Sequence, residues 1–182
     1  MTSPVRVHAT QEMIDALERD VFNWTIYPRF SELENTSGPV LNYIPFEMGR
    51  EFKVKHLRVL PIEVNHVHPS AGMIISDGIV SIGLTGDTAA TDDIWKSLNK
   101  ETKLSAVFIE CAFPDEMSEL AAVSHHLTPS QLVSEFEKFA DREVPVFVIN
   151  IKPMYREKVV HQIETLELPN VNILEVGRVY EF

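Results

Sequence analysis

From Glu51 onward the hydrophobic period of the chain switches between two and about 3.6 residues, and this switching constrains the fold most. Residues 51–64, EFKVKHLRVLPIEV, alternate and are rich in β-branched side chains, which predicts strand. AGMII and IVSIGL follow, separated by Ser76-Asp77-Gly78, and the Asp-Gly pair marks a hairpin turn. LSAVFIECAF and VPVFVINI are continuous apolar runs of the kind that form buried strands. Helical spacing covers 90–98, 116–123, 128–139 and 155–166. The third of these has the strongest start signal: Thr128 as N-cap, Pro129 at the first helical position, and Gln131 to close a capping box. VNILEV and RVYEF predict a closing strand pair around Gly177. Hairpin strands followed by alternating helix and strand give a layered α/β fold.

The part before Glu51 is less regular. Met13, Leu17 and Val21 predict a helix over 10–22. Residues 28–50 are rich in Pro, Gly, Asn and Ser and read as loop with one short strand. Trp24, Tyr27, Phe46 and Met48 are expected to pack. At 182 residues the chain suits one domain, 1–182.

Charge and cysteine content narrow the function. The net charge is −11, of which residues 1–60 carry −1 and residues 61–182 carry −10. A surplus of that sign disfavours non-specific nucleic-acid binding and anionic membranes, both of which select a basic face. One cysteine, Cys111, excludes an intramolecular disulfide framework and a cysteine-rich zinc site, and points to a reducing, cytoplasmic setting. No apolar run reaches the ~18 residues that span a bilayer, and the first residues lack a signal-peptide core.

Polar residues cluster where apolar strands end. Four segments stand out: Val64-Asn65-His66-Val67-His68-Pro69, Leu84-Thr85-Gly86-Asp87-Thr88, Phe108-Ile109-Glu110-Cys111-Ala112-Phe113 and Ser124-His125-His126-Leu127-Thr128-Pro129. Histidine and Asp at such loops are donors that divalent transition metals take. Asp87 also suits a turn, Asp92 and Asp93 suit a helix start, and His125 and His126 could merely precede a helix. Glu110 differs because a carboxylate inside an apolar strand needs a partner.

In their order, VNHVHPSAGMII, LTGDT, FIECAFP, SHHLTPSQL and VFVINIKP resemble the metallo-β-lactamase superfamily. They are most similar to its class II 3',5'-cyclic-nucleotide phosphodiesterase branch, and DVFNWTIYPRFSEL resembles the region after that family's first metal motif. The resemblance implies an αββα sandwich, N-terminally incomplete, with its first sheet rebuilt from residues 39–64. It implies hydrolysis of a small phosphoester such as a cyclic nucleotide, with divalent zinc or manganese. By the same resemblance His66 matches a metal ligand and Asp87 the carboxylate bridging two metals. His126 matches a proton donor beside the leaving group, and Glu110 would orient it. The substrate's negative charge would then meet the N-terminus of the helix starting at Pro129.

Two departures set expectations for activity. His-x-His-x-Asp-His does not occur; the only histidines before His66 are His8 and His56, so the segment carrying that motif is expected to be missing. The strand-end ligand of His-x-Lys-Pro is Asn150 here, in Asn150-Ile151-Lys152-Pro153, and an amide is a poor zinc ligand. His66 and Asp87 leave two matched ligands, with His126 or His68 as a third, so metal binding is expected to be weak and turnover impaired or absent. The competing reading is a non-catalytic family member acting in binding or interaction, as a possible homodimer. A generic nucleotide-binding domain ranks last, since both GxGxxG and a P-loop are lacking.

Overall fold

The computed structural model describes residues 3–182 and places a strand, β1 (Val5–Ala9), before the first helix. Thr10 caps α1 (Gln11–Ala16), its hydroxyl accepting from the Met13 N–H at 3.3 Å. The helix continues as a wider π-turn over Leu17–Val21, so the helix predicted over 10–22 is present in two forms. β2 (Glu34–Asn35) and β3 (Gly38–Pro39) make a small antiparallel ladder, and β4 (Leu41–Pro45) runs parallel to β1. The region is therefore richer in strand than its Pro/Gly/Asn content suggested. The added signal is alternation: Val5 pairs with Leu41 and Val7 with Tyr43. Trp24 and Tyr27 are more than half exposed, keeping partial contacts such as Tyr27 on the Phe22 ring at 6.3 Å. These elements form one compact unit ending at Arg50, and Glu51–Phe182 forms a second.

The second unit is built on one seven-stranded sheet. Its strands are β5 (Phe52–Val54), β6 (Leu57–Val64), β7 (Ser70–Ser76), β8 (Ser81–Leu84), β9 (Leu104–Glu110), β10 (Val146–Ile149) and β11 (Val171–Ile173), in the order β11-β10-β9-β8-β7-β6-β5. β5 to β8 pair antiparallel, and β8 to β11 pair parallel. Residues 39–64 thus do not rebuild one sheet: β4 stays with β1 in a two-stranded ladder, while β5 and β6 join the large sheet. β6 pairs with β7 from Arg58↔Ser76 to Val64↔Ser70, which commits it to the large sheet. The predicted hairpin is closed by Asp77, whose carboxylate accepts from the Ile79 and Val80 N–H groups. Those donors, Val80 first, hold its pKa below the ordinary value.

Helices α2 (Asp93–Leu98), α3 (Ser118–Ser124), α4 (Pro129–Phe136) and α5 (Arg156–Thr165) occupy the predicted positions. Ile62, Ile74, Val107 and Val146 from the sheet share a core with Ile94, Trp95, Leu132 and Val159 from the helices. Gly83 matters here, because a Cβ at that position would overlap the Leu98 side chain. Buried Glu135 accepts from the Trp95 indole at 2.7 Å and from Lys138 at 2.8 Å, tying α2 to α4. RVYEF does not form the predicted strand. Tyr180 and Phe182 instead set their rings on Phe147, with centroids at 5.0 and 5.9 Å, so ring packing replaces a ladder there.

β7 is the only reversed strand between β6 and β10, so β6, β8, β9 and β10 point the same way. Their carboxyl ends lie along one edge, where open α/β sheets place ligands.

Candidate metal centre

That edge collects the segments singled out in the sequence. β6 ends into Asn65 and His66, β8 into Gly86 and Asp87, β9 at Glu110, and β10 into Asn150. His125 and His126 arrive from the turn between α3 and α4. One ligand atom each of His66, Asp87 and His126 lies within 4.8 Å of the others, the one such cluster among the described residues. His126 is buried, His66 half-buried and Asp87 exposed, so the cluster opens to solvent through Asp87. His68 is exposed and outside it.

Each imidazole is oriented by a partner on Nδ1. The His126 Nδ1–H donates to the Glu110 carboxylate at 2.6 Å. The His66 Nδ1 meets the backbone carbonyl of His125 at 3.1 Å, and a carbonyl can only accept, so that nitrogen carries the proton. Both rings are left with Nε2 as the lone-pair atom, the arrangement found for metal-ligating histidines. The rings stand 5.2 Å apart, and Phe113 closes the far side of His126 edge-on at 5.7 Å.

Glu110 is fully buried and joins three segments. Besides His126, it accepts from the Thr88 N–H at 3.0 Å and the Leu127 N–H at 3.3 Å. Burial pushes its pKa up, while Thr88, His126 and Leu127 pull the other way. Its neighbour Cys111 is buried, and desolvation pushes the thiol well above its ordinary range, which makes it a poor nucleophile and ligand.

Asp87 is placed by Gly86 and held by Asn150. The Asn150 amide donates to the Asp87 carboxylate at 2.7 Å, from a residue at φ +57°. Gly86 sits at φ +66°, and a Cβ there would come 2.8 Å from the Ala71 carbonyl oxygen. Gly86→Ala is therefore expected to cost about 1–3 kcal/mol, through left-handed strain and a backbone clash together. Chemical denaturation checks this, and an unchanged midpoint would contradict it.

The N-terminus of α4 is not open to an anion, contrary to expectation. The Asp115 carboxylate takes the Ser130 N–H at 2.9 Å, and the Gln131 side chain takes the Thr128 N–H at 2.9 Å. Pro129 has no N–H to offer. Asn65 and His125, which fix the loops around His66, stood in segments singled out from sequence but were given no role there. Their contributions run through a side-chain pair sixty residues apart and a backbone carbonyl, which no local pattern marks.

The chemistry of the donor set fits a divalent metal. Two neutral imidazoles and a carboxylate are the three protein ligands of a catalytic zinc, and both imidazoles have outer partners. Ligand atoms around a tetrahedral zinc stand roughly 3.3–3.5 Å apart, from bonds of about 2.0–2.1 Å, so the set is slightly open.

No known family profile matches the chain. Among curated proteins it is similar to the "Probable 3',5'-cyclic-nucleotide phosphodiesterase" of Yersinia pestis, 24% identical over 177 residues, covering 83% of this chain and 50% of that protein. Among solved structures it is similar to unliganded yeast PDE1, with a TM-score of 0.75, 20% identity, and coverage of 93% of this chain and 57% of that one. It is also similar to the metallo-β-lactamase fold protein YhfI from Bacillus subtilis, with a TM-score of 0.71, 13% identity, and coverage of 98% and 65%. The chain thus spans about half the length of its curated relative and under two thirds of these two structures. What these likenesses and the large mixed sheet have in common is the fold: the chain is a metallo-β-lactamase-fold protein, similar in sequence to a cyclic-nucleotide phosphodiesterase.

Proposed function

We propose that this chain is a metal-binding hydrolase-type protein of the cyclic-nucleotide phosphodiesterase class, with one weak cation site and impaired turnover on its own. The observation that carries this reading is the His66–Asp87–His126 cluster with both Nδ1 atoms held, in a sequence similar to a phosphodiesterase. His66 and Asp87 would hold the cation, zinc or manganese, with His126 completing the set. A bound divalent ion supplies Lewis-acid polarisation of a phosphoryl oxygen and a more acidic water. Glu110 keeps His126 in the tautomer whose Nε2 is free to bind a cation or to accept a proton. Asn150 restrains the carboxylate of Asp87. The substrate class is a small phosphodiester such as a cyclic nucleotide. No described helix is long and apolar enough to cross a membrane, and we place the protein in the cytoplasm on its single buried thiol.

A second reading has its own observation. At the position where a strand-end ligand is expected, Asn150 spends its amide on Asp87, which suits a binding protein, as a possible homodimer, as well as an enzyme. Elemental analysis of the purified chain after zinc or manganese loading, with hydrolysis of cyclic AMP, separates the two. Substoichiometric to equimolar metal with slow, metal-dependent hydrolysis supports the first. Metal-free protein, or bound metal with no turnover above Asp87→Asn, supports the second. Two tightly held metals with rapid turnover would overturn both.

A further inference from the structure

His125 is the C-cap of α3, and its backbone lies in the left-handed region at φ +52°. Glycine fills such a cap most often, and histidine is among the few other residues that tolerate it. Backbone bonds close the turn, the His126 N–H reaching the Ala121 carbonyl at 2.9 Å, and Asn65 adds a hold on the His125 side chain. The His125 Nδ1 lies 3.0 Å from the Asn65 Oδ1. The Asn65 amide nitrogen donates to the Ala90 carbonyl at 2.9 Å, which fixes which end of the amide is oxygen. Oδ1 is therefore an acceptor, and the His125 Nδ1 carries the proton. Asn65 is itself fastened through its backbone: its N–H donates to the Thr88 hydroxyl at 3.1 Å, and its carbonyl accepts from the Ala89 N–H at 2.7 Å.

The consequence falls on His66. The left-handed turn at His125 delivers the carbonyl that faces the His66 Nδ1 at 3.1 Å. We propose that Asn65 and His125 form a positioning latch for His66: Asn65 holds His125 in its left-handed conformation, and the His125 carbonyl then fixes His66 as the Nδ1–H tautomer with Nε2 free. The adjacent pair at 125–126 thus divides its work. His126 enters the cluster through its ring, and His125 serves it through its backbone. Neither Asn65 nor His125 belongs to the three-donor cluster, so both are positioning residues. Free histidine favours Nε2–H, so losing the latch changes a quantity that a merely structural residue would leave alone.

The latch is a statement about the metal-free chain, and only its effect on affinity rests on the proposed metal site. The test is long-range proton–nitrogen correlation on nitrogen-15-labelled chain at neutral pH, which reads the His66 tautomer directly, beside circular dichroism to confirm folding. The wild type is expected to show Nδ1–H. Asn65→Ala is expected to move His66 toward Nε2–H, and His125→Ala to do the same. His125→Gly is expected to keep Nδ1–H, because glycine adopts the left-handed cap without strain and retains the carbonyl. In the His125→Gly background, Asn65→Ala should have no further effect on the tautomer, the signature of one residue acting through the other. Zinc competition is expected to show affinity lowered about 10–100-fold in Asn65→Ala and close to wild type in His125→Gly. Nε2–H in the wild type, or Nδ1–H surviving Asn65→Ala, overturns the latch. Should Asn65→Ala fail to fold, the contrast of His125→Gly with His125→Ala decides, and equal tautomers in the two overturn it. Absence of zinc binding in the wild type overturns the metal reading alone, leaving the latch to be judged by the tautomer.

Discussion

Glu110→Ala is expected to lower unfolding stability by about 3–5 kcal/mol, since it leaves three buried donors without their acceptor. The carboxylate is fully buried and takes three donors, from Thr88, Leu127 and the His126 ring. Alanine removes all three acceptor contacts and leaves a cavity too apolar to replace them. Each orphaned donor alone costs about 1–3 kcal/mol. The donors belong to the loops after β8 and α3, so the damage spreads across the edge that carries the cluster. Glu110→Gln separates the contributions. Its oxygen, placed at Oε1, keeps the Thr88 and His126 bonds, while its NH2 faces the Leu127 N–H. The expected cost is about 1–3 kcal/mol. Urea unfolding with a shared slope measures both. A midpoint for Glu110→Ala within error of wild type would sink the account.

The same pair of proteins gives a pH test. Burial raises the folded pKa of Glu110 above the ordinary glutamate value of 4.5. Its contribution is therefore fullest below the unfolded value and is lost as pH rises from there through the folded one. Glu110→Gln cannot titrate, so the stability difference between wild type and Glu110→Gln should shift against the wild type across that window. A difference that moves the other way would mean that the donors from Thr88, His126 and Leu127 outweigh burial.

Much of this was legible in the sequence because it rests on local chemistry. The capping signals at Thr128, Pro129 and Gln131 locate α4, and Asp77-Gly78 locates the β7–β8 turn. β1 was missed although Val5 and Val7 alternate with Arg6 and His8, since five residues at a chain start carry little weight alone. RVYEF has strand composition but no ladder, and its aromatic rings find Phe147 instead. The sheet to which β6 belongs is a matter of pairing partners, which periodicity does not specify. At the site, Asn150 stood out only through the family resemblance, whereas His66, Asp87, Glu110 and His126 could be picked out because polar residues at the ends of apolar strands are conspicuous. Their mutual arrangement could not, since it depends on β6, β8, β9 and β10 sharing one direction. Asp115 as the occupant of the α4 terminus was equally out of reach, being fifteen residues from Ser130.

Asn150 should give opposite results with two substitutions, and this distinguishes a residue that tunes a cation site from one that only fills space. Asn150→Ala removes the 2.7 Å amide contact and releases the exposed Asp87 side chain to solvent. Affinity for zinc is expected to fall about 10–100-fold, as for other outer partners of a ligand. The fold should survive, because Asn150 is itself exposed. Asn150→His frees the same carboxylate oxygen but replaces the amide with an imidazole, a donor that zinc takes readily. Its backbone at φ +57° is one that histidine tolerates better than most residues. Affinity should therefore rise above wild type, and metal-dependent phosphodiester hydrolysis should rise with it. Zinc competition against a chromogenic chelator reads the first quantity, and cyclic AMP turnover the second. If both substitutions weaken binding equally, the amide is the better partner for Asp87 and the open donor set is the working state of this protein. If neither changes it, Asp87 is not a ligand. Tighter binding in Asn150→His without faster turnover would mean that the missing capacity lies beyond the metal, in groups these 182 residues do not supply.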